Sequence, residues 1–103
     1  MKKVDPTTWI DKENLAANRL ADLLTEICDE SLAGKVSVYF HRFNVRMKAL
    51  NALEKKHRVF YLLLLLDKTQ DEVIKNFRHQ TVASLMLNVL SAIYRKELVK
   101  IKR

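Results

Sequence analysis

Val59-Phe60-Tyr61-Leu62-Leu63-Leu64-Leu65-Leu66 is an unbroken apolar run, preceded by Lys55-Lys56-His57-Arg58 and followed by Asp67-Lys68. A helix on a protein surface keeps a polar face, and this run leaves none for about two turns. Read as a helix, it must be covered on all sides by the rest of the molecule or by a partner, which predicts that it forms the middle of a core. It is also far short of the ~20 apolar residues that a membrane span requires.

The rest of the chain supports a helical reading. Gly34 and Pro6 are the only glycine and proline among 103 residues, so nothing from Lys35 to Arg103 supplies the usual hairpin-turn residues. Long segments rich in Leu, Ala, Lys, Glu and Arg favour helix instead. With 49% hydrophobic and 30% charged residues, the composition is that of a globular protein. The length suits one domain spanning residues 1–103. The expectation is an all-α protein, a compact bundle of four to five helices around a central Leu-rich helix.

The first helix has two candidate starts, Asp5-Pro6 and a Thr8 cap with Asp11 near the positive end of the helix. Ala17, Leu20, Leu24, Ile27 and Ser31 form its inward stripe, and Gly34 is the expected left-handed stop. A second helix fits about Ser37 to Ala52 on the stripe Val36, Phe40, Phe43, Met47 and Leu50. A third carries the leucine run and stops near Asp67. Thr69-Gln70-Asp71-Glu72 has capping-box spacing, which predicts a new short helix there. Asn76–Gln80 should turn the chain into a last helix, about Gln80 to Arg95. Leu98–Lys102 then alternates apolar and polar residues, a pattern shared by a strand and a frayed helical end.

Charge is unevenly spread along the chain. The formal net charge is +7, yet residues 1–34 hold four cations against seven anions, and residues 35–103 hold fifteen against five. An acidic first helix can lie on a basic body, leaving positive surface for an anionic partner. Arg42, Arg46, Lys48, Lys55, Lys56 and Arg58 concentrate that surplus, with Tyr39, His41 and Asn44 nearby for stacking or hydrogen bonds. They are the candidate nucleic-acid-binding residues, for contact with nucleic acid or a nucleic-acid-associated protein. The competing reading is a basic face that keeps the protein soluble or pairs with the first helix.

The last helix suggests a second surface. Thr81, Ser84, Asn88 and Ser91 form a narrow polar stripe that continues to Arg95, between the apolar residues Val82, Leu85, Met86, Leu87, Val89, Leu90 and Ile93. Small polar residues on a mostly apolar helix point to close packing against another helix, inside the fold or across a homodimer. These four are the candidate partner-binding residues. The chain also has more apolar helix surface than a small monomer can hide, which points to an alternative functional class: an adaptor, inhibitor or immunity-type bundle with a protein partner and no nucleic-acid role.

The chemistry-bearing residues ask for no enzyme. With one glycine there is no phosphate-binding loop, and Ser31, Ser37, Ser84 and Ser91 are in no nucleophile-elbow pattern. Glu54-x-x-His57 is a single copy of a spacing that di-iron bundles use twice. His41, His57 and His79 show no metal-ligand pairing, and Glu26, Asp29 and Glu30 read as a solvated helix face. No catalytic residue, metal site or cofactor is assigned. Cys28, the single cysteine, falls on the apolar side of the first helix and should be a small buried hydrophobe. Met1–Pro6 has no apolar signal core, so a cytoplasmic location, or a nuclear one in a eukaryote, is the default.

Two segments carry faint family patterns. Arg58-Val59-Phe60-Tyr61-Leu62 followed by Thr69-Gln70-Asp71-Glu72-Val73 resembles the helix pair that precedes the recognition helix in bacterial sigma factors. That resemblance implies a helix-turn-helix-like core. The chain departs from the pattern at Ile74, where a small residue is usual, and at Arg78, where a glycine is usual. No base-contacting residue is carried over. Thr81–Leu90 running into Val99-Lys100-Ile101 resembles the winged-helix end of kleisins, which implies a Leu-rich helix followed by a short strand.

Overall fold

The computed structural model describes residues 14–102, and these form four α-helices: α1 Leu15–Ile27, α2 Glu30–Leu50, α3 Lys55–Asn76 and α4 Gln80–Lys102. No strand occurs among the described residues, so the expected all-α bundle is what the chain forms. The starts considered at Pro6 and Thr8 lie outside the described residues. Within the described chain, Asn14 caps α1, its side chain accepting from the Ala17 N–H at 3.1 Å.

The first break falls at Cys28-Asp29 and not at Gly34. Cys28 ends α1 in the left-handed region (φ 58°, ψ 32°), its N–H donating to the Leu24 carbonyl at 3.2 Å. Asp29 then caps α2, its Oδ1 accepting from the Leu32 N–H at 3.0 Å. A strong N-cap one residue after a tolerated left-handed turn suffices to start α2 early, and Gly34 is carried inside it. Cys28 is therefore exposed and not a core residue; its Sγ contacts the Thr25 carbonyl at 3.0 Å. The one glycine thus occupies a helix interior, where it costs stability, while a Cβ-bearing residue holds the left-handed position. Nothing lies within 4 Å of where a Gly34 Cβ would stand. Gly34→Ala and Cys28→Gly are each expected to raise unfolding free energy by about 0.5–1 kcal/mol, read as parallel shifts in urea midpoint.

α2 ends at Leu50 and the chain tightens through Asn51–Leu53, whose N–H groups bond the carbonyls three residues back. Arg58 reaches back across this turn, its Nε donating to the Leu53 carbonyl at 3.0 Å and its Nη2 to Asn51 at 3.3 Å.

α3 does not stop at Asp67. It runs unbroken to Asn76, so the leucine run and the Thr69–Glu72 segment belong to one helix. Thr69 is fully buried and its hydroxyl donates to the Leu65 carbonyl one turn back, a bond available only inside a helix. The two segments that resembled a sigma-factor helix pair thus have no turn between them. The turn comes at Phe77–His79, as the sequence suggests. There the His79 Nδ1 accepts from the Val82 N–H at 3.3 Å and caps α4. α4 stays helical through Lys102, with Ile101 buried, so the strand that the kleisin pattern implied is not formed.

Residue size sets the spacing of the bundle. α1 presents Ala17 and Ala21 beside Leu20 and Leu24, and these small side chains let it lie close along α4. α3 is equally close to α4 on another side, whereas α2 carries Phe40, Phe43 and Tyr39 and stands farther off. The main core joins all four helices around Phe40, Leu20, Leu24, Val73, Met86 and Leu90. A smaller one, Leu50, Leu62 and Ile101, closes the opposite end from α2, α3 and α4 alone. α1 is absent there because its 13 residues span about 20 Å, against about 35 Å for the 23 residues of α4.

Candidate interaction surface

The leucine run is the largest correction to the sequence reading. Leu62 and Leu65 are buried and Val59, Tyr61 and Leu66 half-buried, but Phe60, Leu63 and Leu64 face outward, 66%, 48% and 53% exposed. A helix that packs on α4 on one side and α2 on another still has an open side. A run apolar around its whole circumference must therefore put leucines in water. Spacing of three and four residues aligns Lys56, Phe60, Leu63, Leu64, Asp67, Asp71 and Ile74 along that outer face, all of them exposed. The apolar part is one contiguous patch with charged neighbours, the form that marks docking sites on soluble proteins.

The candidate nucleic-acid-binding residues do not converge. Arg46 turns towards α3, where Nη1 lies 3.4 Å from Glu72 Oε2. Arg42, one turn earlier, is exposed on that same flank of α2. Lys48 is on the other flank, lining a cleft of about 450 Å³ with His41, Asn44 and Arg58, and with Glu97 and Lys100 of α4. Lys56 is 3.4 Å from Glu54, in an exposed pair. Arg58 is occupied by the turn carbonyls, and Lys55 stands at the start of α3.

Local structure gives Lys48, and two cations of α4, a role of their own. α2 and α4 both end near the cleft, and their last carbonyls carry the negative end of each helix dipole. Lys48 in the last turn of α2, and Lys100 and Lys102 in the last turn of α4, complement those ends. Glu97 partners Lys100 at 3.3 Å. No signal in the sequence unites the cleft, because residues 41–51 and 97–101 meet only in the folded chain.

The polar stripe of α4 faces solvent. Thr81, Ser84 and Asn88 are exposed and Ser91 half-buried, so they do not form a close-packed seam with another helix of this fold. The inward side of α4 is Val82, Met86, Val89 and Leu90. The isolated Glu54-x-x-His57 pair is exposed with 4.0 Å between Oε2 and Nε2, and no three His, Cys, Asp or Glu side chains gather among the described residues.

Between α2 and α3 runs a polar seam that fixes which side of α3 stays open. Lys35 Nζ donates to the Asn76 carbonyl and stands 4.9 Å over the Phe77 ring. The Tyr39 hydroxyl donates to the Thr69 carbonyl at 3.0 Å, and its ring meets those of Phe40 and Phe77 edge-on. Burial pushes the Tyr39 phenol from 10.0 up to about 12, the Glu72 carboxylate adds to this, and Arg46 opposes it. An unfolded chain gives up this proton first, so the contribution of Tyr39 to stability is lost as pH rises from about 10 to about 12. Tyr39→Phe is expected to cost about 0.5–1.5 kcal/mol at neutral pH and to narrow its deficit across that alkaline window. Paired urea melts at pH 7 and above pH 10 measure both effects.

No helix among the described residues is long and apolar enough to cross a membrane. Compared with protein-family models, curated proteins and solved structures, the chain finds no match.

Proposed function

We propose that this chain is a non-enzymatic helical binding protein that engages a protein partner through the outer face of α3. The observation that carries this reading is the exposure of Phe60, Leu63 and Leu64 on a well-formed helix. Holding three large apolar side chains in water costs solubility, and an apolar partner surface recovers that cost by covering them. Nucleic-acid binding through residues 35–58 has less support, because Arg46 and Arg58 are engaged within the fold and Lys48 lies on a different flank from Arg42. Phosphate recognition depends on several cations reaching one backbone together.

A photo-cross-linking side chain placed at Leu64 or, as a control, at Ser84 tests the reading in the cell. The expected result is a protein adduct of defined mass from position 64, absent from position 84 and lost with Phe60→Asp. Failure of position 64 to form an adduct overturns the proposal. So does binding to mixed-sequence duplex that weakens steeply with salt and disappears with Arg42→Glu and Arg46→Glu together.

A further inference from the structure

We infer that the partner seated on the outer face of α3 is a second copy of this chain, its α3 antiparallel to the first about a two-fold axis between Leu63 and Leu64. The inference rests on the reading of that face as a protein-docking surface and adds its occupant. The order of residues along the face carries it. One end holds Lys56, the middle Phe60, Leu63 and Leu64, and the other end Asp67 and Asp71, with Ile74 beyond them. A two-fold contact places the same patch on both sides, so each residue meets the partner position equally far beyond the axis. Reversal about Leu63 and Leu64 sets each of these leucines against the other, brings Lys56 to Asp71 in both directions, and places Asp67 opposite Phe60, one turn from the partner's Lys56. A parallel arrangement sets Lys56 against Lys56 and Asp71 against Asp71.

The existing pairs of these charges do not stand in the way. Lys56 with Glu54 and Asp71 with Lys75 are highly exposed pairs at 3.4 and 3.0 Å, which stabilise little and rearrange freely. Lys68 and Lys75 are also exposed but lie on one flank with His57, off the central line of the face. Each copy carries +7, which opposes self-association, but the face proposed for contact, with one cation and two anions, holds none of that positive surplus. One helix face is smaller than the ~800 Å² per partner of a standard stable interface, so the dimer should be weak, with Kd on the order of tens of micromolar.

Sedimentation equilibrium of the full chain, from low to several hundred micromolar, tests this. The wild type is expected to pass from monomer to dimer across that range. Leu64→Glu should weaken the dimer by about a hundredfold, since it would bury a charge at the axis. Lys56→Glu and Asp71→Lys should each weaken it by about tenfold, and an equimolar mixture of the two should recover the wild-type constant as a heterodimer. Far-UV circular dichroism and urea midpoints, expected to match the wild type, establish that these surface variants fold. A monomer throughout, a dimer indifferent to Leu64→Glu, or a mixture no tighter than either variant overturns the inference. The cross-linker at Leu64 separates the two levels: an adduct at twice the chain mass supports the self-partner. An adduct with a different polypeptide overturns the self-partner and leaves the docking face standing, and no adduct overturns both.

Discussion

Leu62→Ala should lose about 2–5 kcal/mol of unfolding free energy, whereas Leu63→Ala, one residue along the same helix, should change it by less than about 0.5 kcal/mol. Leu62 is fully buried in the smaller core with Leu50 and Ile101, where α1 provides no extra cover. Removing its side chain leaves a cavity between three helix ends that are each anchored in the larger core and cannot collapse to fill it. Leu63 is on the outer face, so its truncation removes little burial and loses nothing in helix propensity. Urea melts of the two variants at a concentration that keeps the protein monomeric measure the contrast. Equal, large losses would mean that the leucine run is covered all round, the arrangement the sequence suggested. The conditions matter, because at high concentration Leu63→Ala should also weaken any association through this face.

Lys68→Pro should cost about 3 kcal/mol or more, although Lys68 is an exposed surface residue. In an unbroken α3 the Lys68 N–H bonds the Leu64 carbonyl, and a proline removes that bond and drives its ring into the same carbonyl. If the chain instead turned between Asp67 and Thr69, a proline there would be readily tolerated in a turn or the first turn of a new helix. Lys68→Ala is the control, expected to match the wild type closely. The variant therefore distinguishes one long helix from the helix pair that the capping-box spacing implied. Thr69→Val in parallel should also be destabilising, since it removes the hydroxyl that back-bonds the Leu65 carbonyl.

Class and stripe positions were legible from the residues. The near-absence of glycine and proline forbids tight hairpins, and Leu20, Leu24, Phe40 and Phe43, read inward from three- and four-residue spacing, are all buried. The turn at Phe77–His79 was legible too, from the polar residues around it. Helix ends were less so. Gly34 and the Thr69–Glu72 spacing are genuine local signals, but a capping motif states only what a terminus would look like if one formed. At Thr69 the burial of the side chain and its bond to the Leu65 carbonyl outweigh the local option to break. At Asp29 a nearer cap competes with the glycine and prevails.

The basic residues show the same limit from the side of function. Counting charge between residues 35 and 58 is valid, but helix phase divides Arg42 and Arg46 from Lys48, and the ends of α2 and α4 recruit part of the positive charge for their own carbonyls. The outer face of α3 was visible as composition and invisible as exposure. Its side chains were known to be apolar all round, yet which of them meet solvent depends on how many neighbours α3 has.

The sequence by itself determined that this chain is helical and most of the stripe by which α1 and α2 point inward, because both follow from local backbone preference and a fixed number of residues per turn. Only the tertiary structure decided that α3 is a wall of the bundle with Phe60, Leu63 and Leu64 in the open. That follows from side-chain size: the alanines of α1 draw it onto α4, the aromatic residues of α2 hold it away, and among the described residues no element is left to cover the far side of the leucine run.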